Sequence, residues 1–214
     1  QMHNKGNYII SLSDFTKWLA QQAEELEVEI YPGFSASEVL YDENNKVVGI
    51  ATCDMGRLKD GSEGPNFERG IELRAKQTVF SEGCRGHLGK TLMEKFELNS
   101  NNSPQTYGIG IKELWEVTPE NSKPGSIMHT TGWPLDNETY GGSFLYHLDD
   151  NKISIGFVIG LDYKNPYLSP YLEFQRFKHH PAIKKLLEGG RRINYGARAL
   201  NEGGVQSLPK LTFP

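Results

Sequence analysis

Cysteine is scarce in this chain, with only Cys53 and Cys84 among 214 residues. Two isolated cysteines cannot build a disulfide framework or a zinc site, so a reducing compartment is the expectation. Positive charge is not in excess either: 23 Lys and Arg stand against 27 Asp and Glu, for a formal charge of -4. No basic stretch of the kind a nucleic-acid surface needs is present, which argues against nucleic acid as a partner. Long apolar runs are missing; "ISIGFVIGL" at 153–161 falls far short of the roughly 20 residues of a spanning helix. There is no GxGxxG and no HExxH, and no Ser/His/Asp set or carboxylate pair reads as an acid–base site, so hydrolytic chemistry is disfavoured. The chain opens at Gln1 in "QMHNKGN" without a signal-like or transit-like segment and closes on the strand-like "LTFP", which reads as the middle of a longer protein.

What is there is apolar mass for a core and a legible succession of elements. In "SLSDFTKWLAQQAEELE" the residues Phe15, Trp18, Leu19, Ala23 and Leu26 recur at helical spacing behind the candidate caps Ser11 and Ser13. The segment "VEIYPG" at 28–33 predicts a short strand. "SASEVLYDENNKVVGIATCD" predicts a hairpin turned at Asp42, Asn44 and Asn45. Residues 55–70, polar and glycine-rich, read as an exposed loop. "IELRAKQTVF" returns as strand and leads through the turn "SEGCRG" into a helix from about Gly86 to Phe96. Strand-like runs at 107–117, 127–133, 142–148 and 152–160 form an antiparallel meander, and "SPYLEFQRFKHHPAIKKLLEGG" gives two short helices split at Pro181, capped by Ser169 and stopped at Gly189. The fold class is α+β.

Three places could carry chemistry. The turn "VFSEGCRGHLG" aims backbone N–H groups and a positive helix end at one point, which suits phosphate or another anion; turning the chain is the commoner use of such glycines. Within it, Cys84 is more simply a small buried hydrophobe, and His87 a first-turn helix residue, than a nucleophile and a base. His179 and His180, adjacent on a helix end, diverge and make poor joint ligands; with Lys184, Lys185, Arg191 and Arg192 they read as a solvated basic face. The pair Gly141-Gly142 in "TYGGSFLYHL" interrupts a strand that wants side chains. Bare backbone there admits a flat, weakly polar ligand, with Trp133, Phe144 and Tyr146 as apolar wall; a turn or bulge explains the same pair equally well.

Taken in order, "GNYIISLSDFTKWLAQQAEELEVEIYPGFSASEVL", "FSEGCRGHLGK", "PQTYGIGIKELWEV", "GWPLDNETYGGSFLYHL", "GFVIGLDYKNPYLSP" and "YGARALNEGGVQSLPKLTFP" resemble the electron transfer flavoprotein-ubiquinone oxidoreductase family. The resemblance implies a partial FAD-binding, glutathione-reductase-like domain over 1–104, a ubiquinone-binding domain of antiparallel sheet and flanking helices over 105–195, and a return to the FAD domain over 196–214. It implies that Gly141 and Gly142 hold a quinone carbonyl through backbone. It implies FAD contacts at Ser81, Glu82 and Gly83, where related flavoproteins carry Asp-Gly, and near the adenine at Ser35–Ser37, Ala36 included. A four-iron four-sulfur cluster belongs to the family, and its ligands lie outside this chain. Reduced electron transfer flavoprotein is the implied electron donor and ubiquinone the acceptor. The implied setting is peripheral, on the matrix side of the mitochondrial inner membrane or on the bacterial cytoplasmic membrane. The alternatives are another FAD-dependent reductase or hydroxylase of the same superfamily, such as a geranylgeranyl-reductase-like enzyme, and a non-catalytic ligand-binding module.

Overall fold

The helix expected from the first apolar stripe is α1, Leu12–Glu25, and Ser11 opens it by accepting the Asp14 N–H at 3.3 Å. Its stripe buries no residue; Phe15 and Trp18 stack on each other with centroids 5.8 Å apart and stay half exposed. The computed structural model describes residues 6–212; the start of "QMHNKGN" and the end of "LTFP" lie outside them. The chain divides into one unit of residues 1–22 with 104–204 and another of 23–103 with 205–214, so α1 runs across the division.

The second unit holds a three-stranded antiparallel sheet in the order β1 (Ala36–Tyr41), β2 (Val47–Thr52), β5 (Glu72–Arg74). The hairpin between β1 and β2 turns where predicted: Asp42 Oδ1 accepts the N–H groups of Asn44 and Lys46 at 2.9 and 2.8 Å, and Asn45 takes φ 62°. Helix α2, His87–Lys95, follows Gly86 and buries Leu88 and Leu92. Three expectations fail here. Residues 28–33 and 76–80 form no strand, and Val79 is 80% exposed; a strand needs a neighbour to take its N–H and C=O groups, and among the described residues no strand pairs with them. The stretch 55–70 is not a loop but a two-stranded hairpin, β3 (Met55–Arg57) with β4 (Glu63–Glu68). Asp60 fixes its turn by accepting the Ser62 N–H at 3.0 Å, and the Arg57 guanidinium lies 4.9 Å over the Phe67 ring.

The first unit is built on a five-stranded antiparallel sheet in the order β10-β6-β9-β8-β7, with β6 Tyr107–Glu116, β7 Ile127–Thr131, β8 Gly141–Leu148, β9 Lys152–Gly160 and β10 Arg191–Asn201. The β8–β9 turn puts Asp150 and Asn151 both at φ 55°, the left-handed pair a tight hairpin requires. Helices α3 (Pro170–Lys178) and α4 (Pro181–Leu187) cover one face, where Leu145, Ile153, Ile155, Phe157 and Ile159 meet Phe174, Phe177, Ile183 and Leu187 in one core. Ser169 caps α3, accepting the Leu172 N–H at 3.4 Å. The boundary expected at 195 falls inside β10, whose register with β6 runs from Arg191↔Glu116 to Asn201↔Tyr107. Every residue of β10 is exposed, although Ile193, Tyr195, Ala197 and Ala199 alternate along it with Arg192, Asn194, Gly196 and Arg198.

One carboxylate sits in this core. Glu113 is 2% exposed and receives Lys178 Nζ at 2.8 Å, Trp115 Nε1 at 2.8 Å and Arg192 at 3.2 Å. Burial opposes its ionisation, but the hydrogen bonds from Lys178, Trp115 and Arg192 outweigh it and hold its pKa below the ordinary carboxylate range. Arg191 pairs with Glu116 at 2.9 Å. The basic face read from the sequence is thus partly spent inside the unit.

Candidate functional site

The two glycines of "TYGGSF" open β8, and successive strand residues point to opposite faces. Gly141 pairs with Ile159 on the covered face, where a Cβ would stand 2.5 Å from Leu135 Cδ1 and 2.4 Å from the Val158 carbonyl oxygen. Gly142 pairs with Val158 on one side and Thr131 on the other, on the face away from α3 and α4; its Cβ would meet the Thr130 carbonyl oxygen at 2.4 Å. Both positions therefore demand glycine for packing, whatever else they do, and only Gly142 belongs to the open face.

That open face is poor in side chains. The registers carry Gly142 into one row with Val158, Gly110 and Arg198, and Phe144 into the next with Gly156, Lys112 and Gly196. The Phe144 ring lies flat across the neighbouring strand, close enough that a Cβ on Gly156 would be 2.3 Å from it. Tyr146 follows with its ring centroid 5.0 Å from Phe144, and its hydroxyl is 3.1 Å from His129 Nε2. Trp133 does not join this wall; it packs against His180 at 5.2 Å. The result is a glycine floor bounded by an aromatic pair and an imidazole on one side and by Lys112 and Arg198 on the other. Sequence reasoning missed His129, Lys112 and Arg198, because the row a residue joins depends on register.

The flavin candidates lie in the second unit. Glu82 folds back over the start of α2, accepting the Leu88 N–H at 3.3 Å and the Gly89 N–H at 2.6 Å, with His87 Nδ1 at 3.7 Å. The anion expected at this helix end is thus the chain's own carboxylate. Gly86 is what lets it in, since a Cβ there would be 2.2 Å from that of Glu82. Gly83 takes φ 81° with open space around it, and Ser81 beside it is exposed. The backbone of Ser81 and Gly83 is open to a ligand, whereas the Leu88 and Gly89 N–H groups of α2 are already taken. Ala36 begins β1 opposite Thr52, and Ser37 Oγ donates to the Ala51 carbonyl at 3.3 Å. Ser35 borders a cavity of about 90 Å³ with Thr52, Cys53 and Ile71, small against the roughly 300 Å³ at the low end of ligand pockets.

The same architecture recurs in solved structures of other proteins. The chain superposes over 94% of its length on 45% of a geranylgeranyl bacteriochlorophyll reductase-like protein from Thermoplasma acidophilum, at TM-score 0.64 and 17% identity. It superposes over 91% of its length on 44% of the flavin-dependent brominase Bmp2, at TM-score 0.58 and 17% identity. The fold is thus one shared with a flavin-dependent enzyme, a mixed structure of helices and antiparallel sheets. Within that class the chain resembles one family over its whole length. It is 60% identical to part of the electron transfer flavoprotein-ubiquinone oxidoreductase of Homo sapiens and 58% identical to part of that of Pseudomonas aeruginosa. Residues 107–200 match the family model described as the ubiquinone-binding domain of this oxidoreductase. The chain spans 35% of the human relative, which is named mitochondrial, and 39% of the bacterial one. Among the described residues no helix is long and apolar enough to cross a membrane.

Proposed function

We propose that this chain is the quinone-binding part, with a share of the FAD-binding part, of an electron transfer flavoprotein-ubiquinone oxidoreductase. The enzyme takes electrons from reduced electron transfer flavoprotein through FAD and a four-iron four-sulfur cluster and passes them to ubiquinone. One observation carries the reading: the span 107–200 that matches the ubiquinone-binding model coincides with the five-stranded sheet whose open face bears Gly142. A quinone is flat, weakly polar and electrophilic at its ring. It needs a surface without protruding side chains, a donor for the carbonyl that gains charge, and no nucleophile. The glycine floor supplies the first, the backbone at Gly141, which pairs with β9 but has no partner on β7, the second, and Phe144 with Tyr146 an edge against which the ring packs. FAD, when bound, supplies the two-electron donor; the backbone of Ser81 and Gly83, with Ala36 at the adenine, is this chain's contribution to holding it. Cys53 and Cys84 are too few to ligate the cluster, so the chain alone does not turn over. Work at a membrane surface, mitochondrial inner membrane or bacterial cytoplasmic membrane, follows from the lipid solubility of ubiquinone.

The test is photolabelling of the full-length enzyme with a ubiquinone analogue bearing a photoreactive ring substituent, followed by peptide mapping. Adducts within residues 127–131 or 139–148 that excess ubiquinone suppresses are expected. Labelling confined to other segments removes quinone from this face.

A further inference from the structure

We propose that His129 and Tyr146 form the proton relay for the quinone bound at Gly142; the inference rests on the quinone reading above and assigns the groups that complete its chemistry. Reduction of a quinone adds two electrons and two protons, and each carbonyl oxygen becomes a hydroxyl. The electrons come from the reduced flavin of the holoenzyme. The backbone N–H of a glycine polarises a carbonyl but does not give up its proton, so a side chain or water has to do so. The open face restricts the choice. Its register places Thr131 opposite Gly142, His129 opposite Phe144 and Ile127 opposite Tyr146, which sets His129 about 7 Å along the strand from the residue paired with Gly142.

His129 is also held. Its Nε2 meets the Tyr146 hydroxyl at 3.1 Å, and the two rings contact edge to face at 5.6 Å and 67°. Tyr146 is itself steadied by Phe144 at 5.0 Å. No hydrogen bond among the described residues takes His129 Nδ1, which leaves the imidazole one nitrogen for the relay and one for the substrate. Histidine is the side chain whose proton exchanges around neutral pH. The other charged groups on this face are Lys112 on β6 and Arg198 on β10 and, in the row of Leu148 at its far end, Lys152, Glu116 and Arg191, where Glu116 pairs with Arg191 and Lys152 with Asp150. Lys112 shares the row of His129 but stands three strands away, about 14 Å, and arginine does not release its proton. In the relay, His129 with its proton on Nδ1 gives that proton to a quinone oxygen while Nε2 takes the proton of the Tyr146 hydroxyl, which water replaces; exchange with water then resets the tautomer, and the second oxygen takes its proton from water directly.

The experiment compares His129→Gln and Tyr146→Phe with the parent in the full-length, flavin-loaded enzyme. Turnover is followed with ubiquinone between about pH 5 and 8, and binding of a redox-inert quinone analogue is measured by equilibrium titration. His129→Gln is expected to lower kcat on the order of 100-fold, to flatten the pH profile and to leave analogue binding within about twofold. Tyr146→Phe, which keeps the ring contacts, should lower kcat less and enlarge the solvent deuterium isotope effect on it. An unchanged kcat and pH profile in His129→Gln overturns the relay. So does a loss carried entirely by KM and analogue binding, which would make His129 a wall contact. Photolabelling that misses residues 127–148 would instead end the quinone reading itself, so the two failures are told apart.

Discussion

At Gly142 a methyl group would stand 2.4 Å from the Thr130 carbonyl oxygen, and at Gly141 2.5 Å from Leu135 Cδ1. Neither neighbour nearest in backbone can retreat without moving a strand, so Gly141→Ala and Gly142→Ala are each expected to cost about 1–3 kcal/mol. Gly196 is the control, since a Cβ there meets nothing within 4 Å; Gly196→Ala should stay within about 0.5 kcal/mol. Urea unfolding of the three variants checks both statements. Equal losses at all three positions would show that strand propensity, rather than close approach, governs this face. The practical consequence is that a bulky residue at Gly142 cannot report on quinone binding alone. The sequence shows the glycine pair plainly and strand alternation puts the two on opposite faces, but which face is covered depends on Leu135 and the helices, which lie outside the motif.

His147 is a second residue whose role the sequence hides. It is 3% exposed, and its Nδ1 accepts the Lys123 N–H at 3.2 Å, so the ring sits neutral with the proton on Nε2. Burial, and then the Lys123 charge, push its pKa below the ordinary 6.5. The unfolded chain therefore binds this proton before the folded one does. The contribution is complete above pH 6.5 and is lost as the pH falls from there through the folded pKa. His147→Asn keeps an acceptor at the Nδ1 position and removes the titration. Its unfolding free energy should vary less than the parent's between about pH 5 and 6.5, measured by urea titration at each pH. An identical slope in both would assign the acid sensitivity to other groups.

Among the elements, Glu113 ties three together, with Lys178 from α3, Arg192 from β10 and its own strand β6. Removing the carboxylate strands Lys178, whose side chain is only 12% exposed, whereas Arg192 can turn to water. Glu113→Ala is expected to destabilise by about 3–5 kcal/mol, and adding Lys178→Met should recover a large part of it, since the second change removes the uncompensated charge. Thermal unfolding of the single and double variants measures this. A double variant no more stable than the single one would locate the cost in the cavity instead. Elements with a periodic apolar face were legible: α1, α2, the β1–β2 hairpin, the meander and the α3–α4 pair all stand close to where spacing put them. Those that failed share one physical cause. Residues 28–33 and 76–80 have strand-forming side chains without a pairing strand, while β3 and β4 have pairing strands without an apolar pattern. Pairing is decided between segments, and single-segment composition does not report it.

For the molecule as a whole, burial is unevenly shared. The eleven residues of the main core, from Val117 to Leu187, all belong to the unit of residues 104–204, while the other unit buries Leu88 and Leu92. Hydrophobic burial is the dominant stabilising contribution, so the two units should not share one stability. The expected outcome for the 214-residue chain is a two-step unfolding curve, in which the signal from the 23–103 unit is lost first. Limited chymotrypsin digestion gives the sharper measurement. Exposed Tyr31, Phe34 and Leu58 offer early cleavage sites in the weaker unit. Leu145, Phe157, Phe174 and Phe177, each no more than 2% exposed, are protected until the stronger unit opens. A species running from about residue 104 to 204, nicked at most in its loops at exposed Tyr140 and Tyr167, is therefore expected to accumulate, and its quinone-analogue binding can be titrated directly. If that species retains the analogue, the binding face folds and functions without the flavin-side unit. If digestion instead removes both units at one rate, their unfolding is cooperative despite the unequal cores, and the weaker unit draws its stability from the stronger.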